Sequence, residues 1–287
     1  MKKVGIITFH ASHNYGSMLQ AYALQQVIFS MGYDCEIINF RNIAQKEMYK
    51  PIFMKGTLYG KCVRFIIQST YVWGILKKYR LFEKFLKEEL ILSSKEYNTL
   101  KDLENENFDY DYYISGSDQI WNVLACDFSC AYFLPFVKFG KRIAYAPSIG
   151  PHLNIEKYGN IDKIYELLNK YDAVSVREIK GSQYIENIIN KQVPTVLDPT
   201  LLLDSNRYDN LIDKKPLING EYVFIYSPWS NENVYEMAYT LGQKYQMKVV
   251  ISQGMTTKDE MLKWNRKFKI YAAVGPKNCL ICVRMHQ

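Results

Sequence analysis

Four short stretches hold the residues best suited to chemistry: "HNYGS" (13–17), "GSDQIWN" (116–122), "SVRE" (175–178) and "VLDPT" (196–200). In the first, Gly16 has no Cβ, and a helix capped at Ser17 would aim free N–H groups and a positive dipole end at an anion or hydroxyl. A single glycine is no G-x-G-x-x-G fingerprint and no Walker lysine follows, so a plain capped turn is the rival reading. The second stretch puts the carboxylate of Asp118, the amides of Gln119 and Asn122, the hydroxyl of Ser117 and the indole of Trp121 within seven positions. That mixture suits a sugar, whose face stacks on an aromatic ring and whose hydroxyls give protons to a carboxylate. Arg177 can grip a carboxylate or phosphate with two prongs, or can form an ion pair with Glu178 or Asp172. His10 and His13 make an H-x-x-H on a loop without an evident third ligand, which is a weak metal signal.

These residues acquire meaning from the elements that carry them. Residues 4–9, 35–40, 112–115, 142–146, 173–176 and 194–197 are short apolar runs of the kind buried in a parallel sheet. Helical periodicity lies between most of them, with Ala21, Leu24, Ile28 and Met31 on one face of the first helix and further helices near 160–171 and 178–190. In such open α/β sheets ligands bind beyond the carboxyl ends of the strands, where all four stretches fall, with Ser148, Gly150 and Thr200 also at strand ends. This predicts an α/β protein of two Rossmann-like domains with mostly parallel sheets. The first spans 1–205, residues 206–220 form a polar linker, and 221–287 form a second, incomplete domain. Residues 46–90 interrupt the rhythm with interleaved aromatic and basic residues. They read as a helical insert in the first domain, either with lysines on its wet face or with a membrane-surface contact.

Nearly half of the 287 residues are apolar (48%) and 23% are charged, a globular balance. No apolar run approaches the length of a membrane span, and "MKKVGIITF" is too short for a signal segment, so a cytoplasmic location is expected. The formal charge of +7 suits an anionic ligand or membrane surface and shows no nucleic-acid reader. Six cysteines, including the C-x-x-C of Cys279 and Cys282, do not form the dense framework of a small secreted domain, and buried free thiols are expected.

Taken in order, "GIITFHASHNYGSMLQAYALQ" (5–25), "YISGSDQIWN" (113–122), "SVRE" and "VLDPTLLL" (196–203) resemble the polysaccharide pyruvyl transferase family. The resemblance implies a GT-B-like arrangement and transfer of a pyruvyl group from phosphoenolpyruvate to two hydroxyls of a cell-surface polysaccharide precursor, giving a cyclic ketal. It implies no cofactor or metal beyond the donor substrate. The other partner is a sugar or lipid-linked glycan acceptor, met in the cytoplasm or at the inner membrane face. Carried onto matching positions, it makes Asp118 the catalytic group at the acceptor hydroxyl. Arg177, Asn14, Gly16 and Ser17 are placed toward the donor, and Tyr15, Ser117, Gln119, Trp121 and Asn122 toward the acceptor.

The family continues past a Gly-Pro like Gly275-Pro276 into a Ser-Phe-His-Gly-like motif, whereas this chain closes on "KNCLICVRMHQ" (277–287). A tail read out of frame would explain the difference and predicts an unpaired sheet edge and low stability. Two other readings stay open: an inactive protein that binds a sugar or anion, and a nucleotide-sugar-dependent glycosyltransferase of the same architecture.

Overall fold

The computed structural model describes residues 1–51, 58–151, 153, 155, 161–212, 216–227, 231–252, 263, 264, 267–270 and 274–284, with backbone alone over 58–72 and at 270 and 284. It divides into two compact units, Met1–Lys50 with Leu86–Asp204, and Pro51–Phe85 with Ser205–Gln287. Each is an α/β layer built on a parallel sheet.

In the first unit, β1 (Lys3–Ile7), β2 (Asp34–Ile37), β3 (Tyr112–Ser115), β4 (Lys141–Ala144) and β5 (Ala173–Val174) lie in the order β2-β1-β3-β4-β5, every pair parallel. β1 is buried at four of its five positions, as a strand covered on both faces must be. Order reverses between β1 and β3, so the crevice above their carboxyl ends is the topological switch point. The sequence predicts a strand at 194–197. Thr195 instead makes an isolated bridge to Val176, which continues the sheet edge by one residue pair.

The helices are α1 (Tyr15–Ser30), α2 (Ile43–Met48), α3 (Leu58–Glu89), α4 (Leu100–Glu104), α5 (Ile161–Leu168) and α6 (Ile179–Ile189). α1 starts two residues earlier than its expected Ser17 cap. Asn14 has extended backbone, and its Oδ1 accepts from Gly16 N at 2.9 Å and Ser17 N at 3.4 Å. Rather than one apolar stripe, α1 buries Tyr15, Ser17, Met18, Gln20 and Gln25 along with Ala21 and Leu24. Met31, expected on the buried face, lies past its end and is 63% exposed.

The second unit holds β6 (Tyr222–Ile225), β7 (Lys248–Ile251) and β8 (Lys269–Ile270), parallel in that order, with α7 (Ser205–Asp209), α8 (Glu232–Tyr245) and α9 (Pro276–Arg284). Trp264 stacks on Phe268 at 4.9 Å over α8 residues Tyr235 and Ala238. α9 buries Ile281 and Cys282, and Tyr222 Oη donates to Cys282 O at 3.0 Å. Burial pushes the Cys279 and Cys282 thiols up to about 12 and about 11, which disfavours the thiolate a metal or redox role needs. Of the 46–90 stretch read as a helical insert, residues 46–50 and 86–90 group by their contacts with the first unit, and 51 and 58–85 with this second unit. Side chains 52–72 of the aromatic and basic stretch lie outside the described residues. No described helix is long and apolar enough to cross a membrane.

Candidate functional site

The site is built on the turn that leaves β3. Gly116 has φ +132°, and a Cβ there would stand 2.0 Å from Tyr145 O, so only glycine lets the strand end this close to β4's exit. The Gly116–Ser117 peptide is cis. Ser117 is then held at each polar atom: its N donates to Gln20 Oε1 at 3.1 Å, its O accepts from Thr8 Oγ1 at 2.9 Å, and its Oγ donates to Ala146 O at 2.8 Å. Gln20 Nε2 in turn donates to Thr8 Oγ1 at 2.9 Å and to Ser17 O at 2.8 Å. One α1 side chain thereby ties the end of β1, the first turn of α1 and the β3 turn together.

That clamp presents Asp118 in the left-handed region at φ 72°, a conformation a non-glycine residue keeps only when its surroundings impose it. Ser148 N donates to Asp118 O at 2.8 Å and Gln119 N to Oδ1 at 2.8 Å. Oδ2 is buried with no hydrogen-bond partner. Burial raises the carboxyl from its ordinary value. The nearby Ser17 hydroxyl, the Gln119 amide and Arg177 oppose the rise without cancelling it, while Asp198 adds to it. An Asp held up in this way can keep or accept a proton nearer neutrality than an exposed one.

Arg177 follows the Val176–Thr195 bridge. Its Nη1 donates to Asp198 Oδ2 at 2.8 Å and its Nε to Glu178 Oε1 at 3.0 Å. Burial works against its charge, yet Asp198 and Glu178 more than compensate and keep the guanidinium charged. Asp198 also receives Thr200 N at 3.0 Å and Thr200 Oγ1 at 2.7 Å, and Ser117 Oγ approaches it at 3.5 Å. The four stretches are thus joined at one end of the first sheet, above the switch point.

A family model described as polysaccharide pyruvyl transferase matches residues 14–271. The chain belongs to the polysaccharide pyruvyl transferase family. No curated protein matches the sequence. Among solved structures, E. coli heptosyltransferase WaaC with ADP-2-deoxy-2-fluoro heptose is similar at a TM-score of 0.41 and 10% identity, over 98% of this chain and 79% of that one.

In this pyruvyl transferase chain the site residues expected from sequence divide into two sets. Asp118, Ser17 and Arg177 come together with Asp198, and the ion-pair partners of Arg177 are Glu178 and Asp198, not Asp172, whose carboxylate takes Arg142 N at 2.9 Å. Others require correction. Trp121 is fully buried, stacked on Phe133 at 5.1 Å and donating Nε1 to Tyr132 O at 3.3 Å, so it packs the core and offers no face to a sugar. Ser117 is fully buried with its polar atoms spent on the clamp. The N–H groups of Gly16 and Ser17 are taken by the Asn14 side chain and are not offered to a donor anion. Tyr15 is buried as well; Gln119, exposed and accepting Asn122 Nδ2 at 3.0 Å, needs no such correction. His10 is buried, with Nδ1 3.2 Å from Thr8 O and Nε2 3.1 Å from Asn39 Oδ1.

Thr8 and Gln20 were missing from the sequence-derived site, and Asp198 carried no role there. A signal existed for Gln20: an amide one position before Ala21 and four before Leu24, the residues that mark the buried face, must find partners when it is buried too.

Proposed function

We propose that the protein transfers the pyruvyl group of phosphoenolpyruvate to two hydroxyls of a sugar in a cell-surface polysaccharide precursor. The observation that carries the reading is Asp118: a carboxyl with a raised proton affinity and a buried, unpartnered oxygen, set beside a charged arginine at the sheet's switch point. Asp118, protonated through its raised affinity, gives its proton to the donor's methylene carbon and makes C2 electrophilic, and an acceptor hydroxyl adds there as its own proton passes back to Asp118. Phosphate leaves with the C2–O bond electrons, and the second hydroxyl closes the ketal as its proton passes to the departing phosphate. Arg177 meets the donor with its charge already balanced by Asp198 and Glu178, so a donor carboxylate or phosphate binds by displacing one of them or by using Nη2.

The test is incubation of the full chain with phosphoenolpyruvate and a panel of methyl hexopyranosides, following inorganic phosphate and the product mass. Sugar-dependent phosphate release with a pyruvate ketal on the sugar supports the reading; absence of both across the panel refutes it.

A further inference from the structure

A second set of buried polar groups adjoins Asp118 and has no part in the clamp. Asn42 caps α2, accepting Gln45 N on Oδ1 at 2.8 Å and donating Nδ2 to Asp127 O at 2.6 Å. This directs Gln45, 1% exposed, inward, where its Nε2 donates to Ser12 Oγ at 3.0 Å and to Asp127 Oδ2 at 3.3 Å. Both amide hydrogens are then used, and Gln45 Oε1 is left buried without a partner. The Tyr132 hydroxyl, on a side chain wedged between Phe9 and Phe40, is fully buried and equally unpartnered. Asp118, Asp127 and Tyr132 act on one another electrostatically, and burial raises both carboxyls.

A buried polar atom with nothing to bond costs free energy, and so many around two carboxyls in one small region is not how a finished core is built. The unfilled capacity has a definite chemistry. Gln45 Oε1 accepts, Asp118 Oδ2 and Asp127 accept when ionised, and the Tyr132 hydroxyl can accept or donate. Phosphoenolpyruvate carries acceptors and negative charge, so it would meet repulsion here. Neutral hydroxyls bring the missing donors, and Asp118, half-buried where its neighbours are buried, is the side from which they would enter.

We propose that Gln45, Asp127 and Tyr132, with Asp118, form a hydroxyl-binding subsite that takes the sugar acceptor and excludes the anionic donor. The hydroxyl chemistry stands on these residues, and calling the sugar the acceptor rests on the pyruvyl-transfer reading. The subsite takes over the acceptor role that the sequence assigned to Trp121 and Ser117.

Binding of methyl β-galactopyranoside and methyl β-glucopyranoside, followed by saturation-transfer NMR on the full chain, tests this with Tyr132→Phe and Gln45→Met. Wild type should bind at least one of them, and each variant should bind it about tenfold more weakly, the worth of one hydrogen bond. Phosphoenolpyruvate binding should not change. Tyr132→Phe removes a hydroxyl with no partner in the free protein, so its melting temperature should stay the same or rise, which separates lost binding from lost folding. Unaltered sugar affinity in both variants, as a trapped water would leave it, overturns the proposal, and so does a wild type that binds neither glycoside. Sugar binding that is lost in the variants while no phosphate is released supports the subsite and defeats the transfer reading.

Discussion

Arg177 can be donor anchor, structural ion pair or both, and the geometry sets what each role costs. Its contact to Glu178 reaches a side chain 44% exposed, where screening leaves at most about 0.5 kcal/mol. The contact to Asp198 is more enclosed, at 26% and 20% side-chain exposure, and a hydrogen bond between charged groups there is worth about 1.5–3 kcal/mol. Arg177→Ala should therefore destabilise the fold by about 2–3 kcal/mol, or roughly 5–10 °C in melting temperature. Asp198→Asn should reproduce most of that loss, and the double variant should show a coupling of about 1–2 kcal/mol. If the guanidinium also holds the donor, Arg177→Ala raises the phosphoenolpyruvate KM by about 30-fold or more, the loss of a two-pronged anion contact, while Asp198→Asn leaves it within a fewfold. Thermal unfolding and phosphate-release kinetics on the same preparations separate the roles. An unchanged donor KM in a folded Arg177→Ala protein would falsify the anchor and leave only the ion pair.

Other consequences are as direct. Gly116→Ala places a methyl group 2.0 Å from Tyr145 O at a φ of +132°, so a loss above about 4 kcal/mol and insoluble expression are expected; a soluble, cooperatively unfolding variant would contradict the packing of this turn. Trp121→Ala should cost about 3–5 kcal/mol as a core truncation, near 10 °C in melting temperature, whereas Trp121→Phe should leave acceptor KM unchanged; a raised acceptor KM in the latter would restore the sugar-stacking role. His10 is held neutral by burial, its value lowered to about 4 from 6.5. The unfolded chain thus binds the extra proton first as pH falls: stability is full above about 6.5 and drops by about 3 kcal/mol on the way to pH 4. Urea midpoints measured across that range should show the slope, and His10→Gln should flatten it.

Much of the scaffold was legible because its signals are local. Tyr112–Ser115 is a strand with the limits its apolar run suggests, and Ile179–Ile189 a helix within the 178–190 that the sequence marks. The gathering of Ser17, Asp118 and Arg177 followed from a rule of topology, that parallel strands deliver their exits to one edge. Residue type and spacing alone determined that much. They could not decide which polar or aromatic side chains point inward. Trp121 became core because the chain from Cys130 to Phe133, several residues on, folds back to stack Phe133 on its indole. Ser117 became a clamp because Gln20, 97 positions away, reaches its N–H. Gln45 and Asp127, 82 residues apart, meet only once α2 is in place. Burial and hydrogen-bond satisfaction belong to contacts between distant segments, so tertiary structure alone separates the residues that hold the site from those left to meet a ligand.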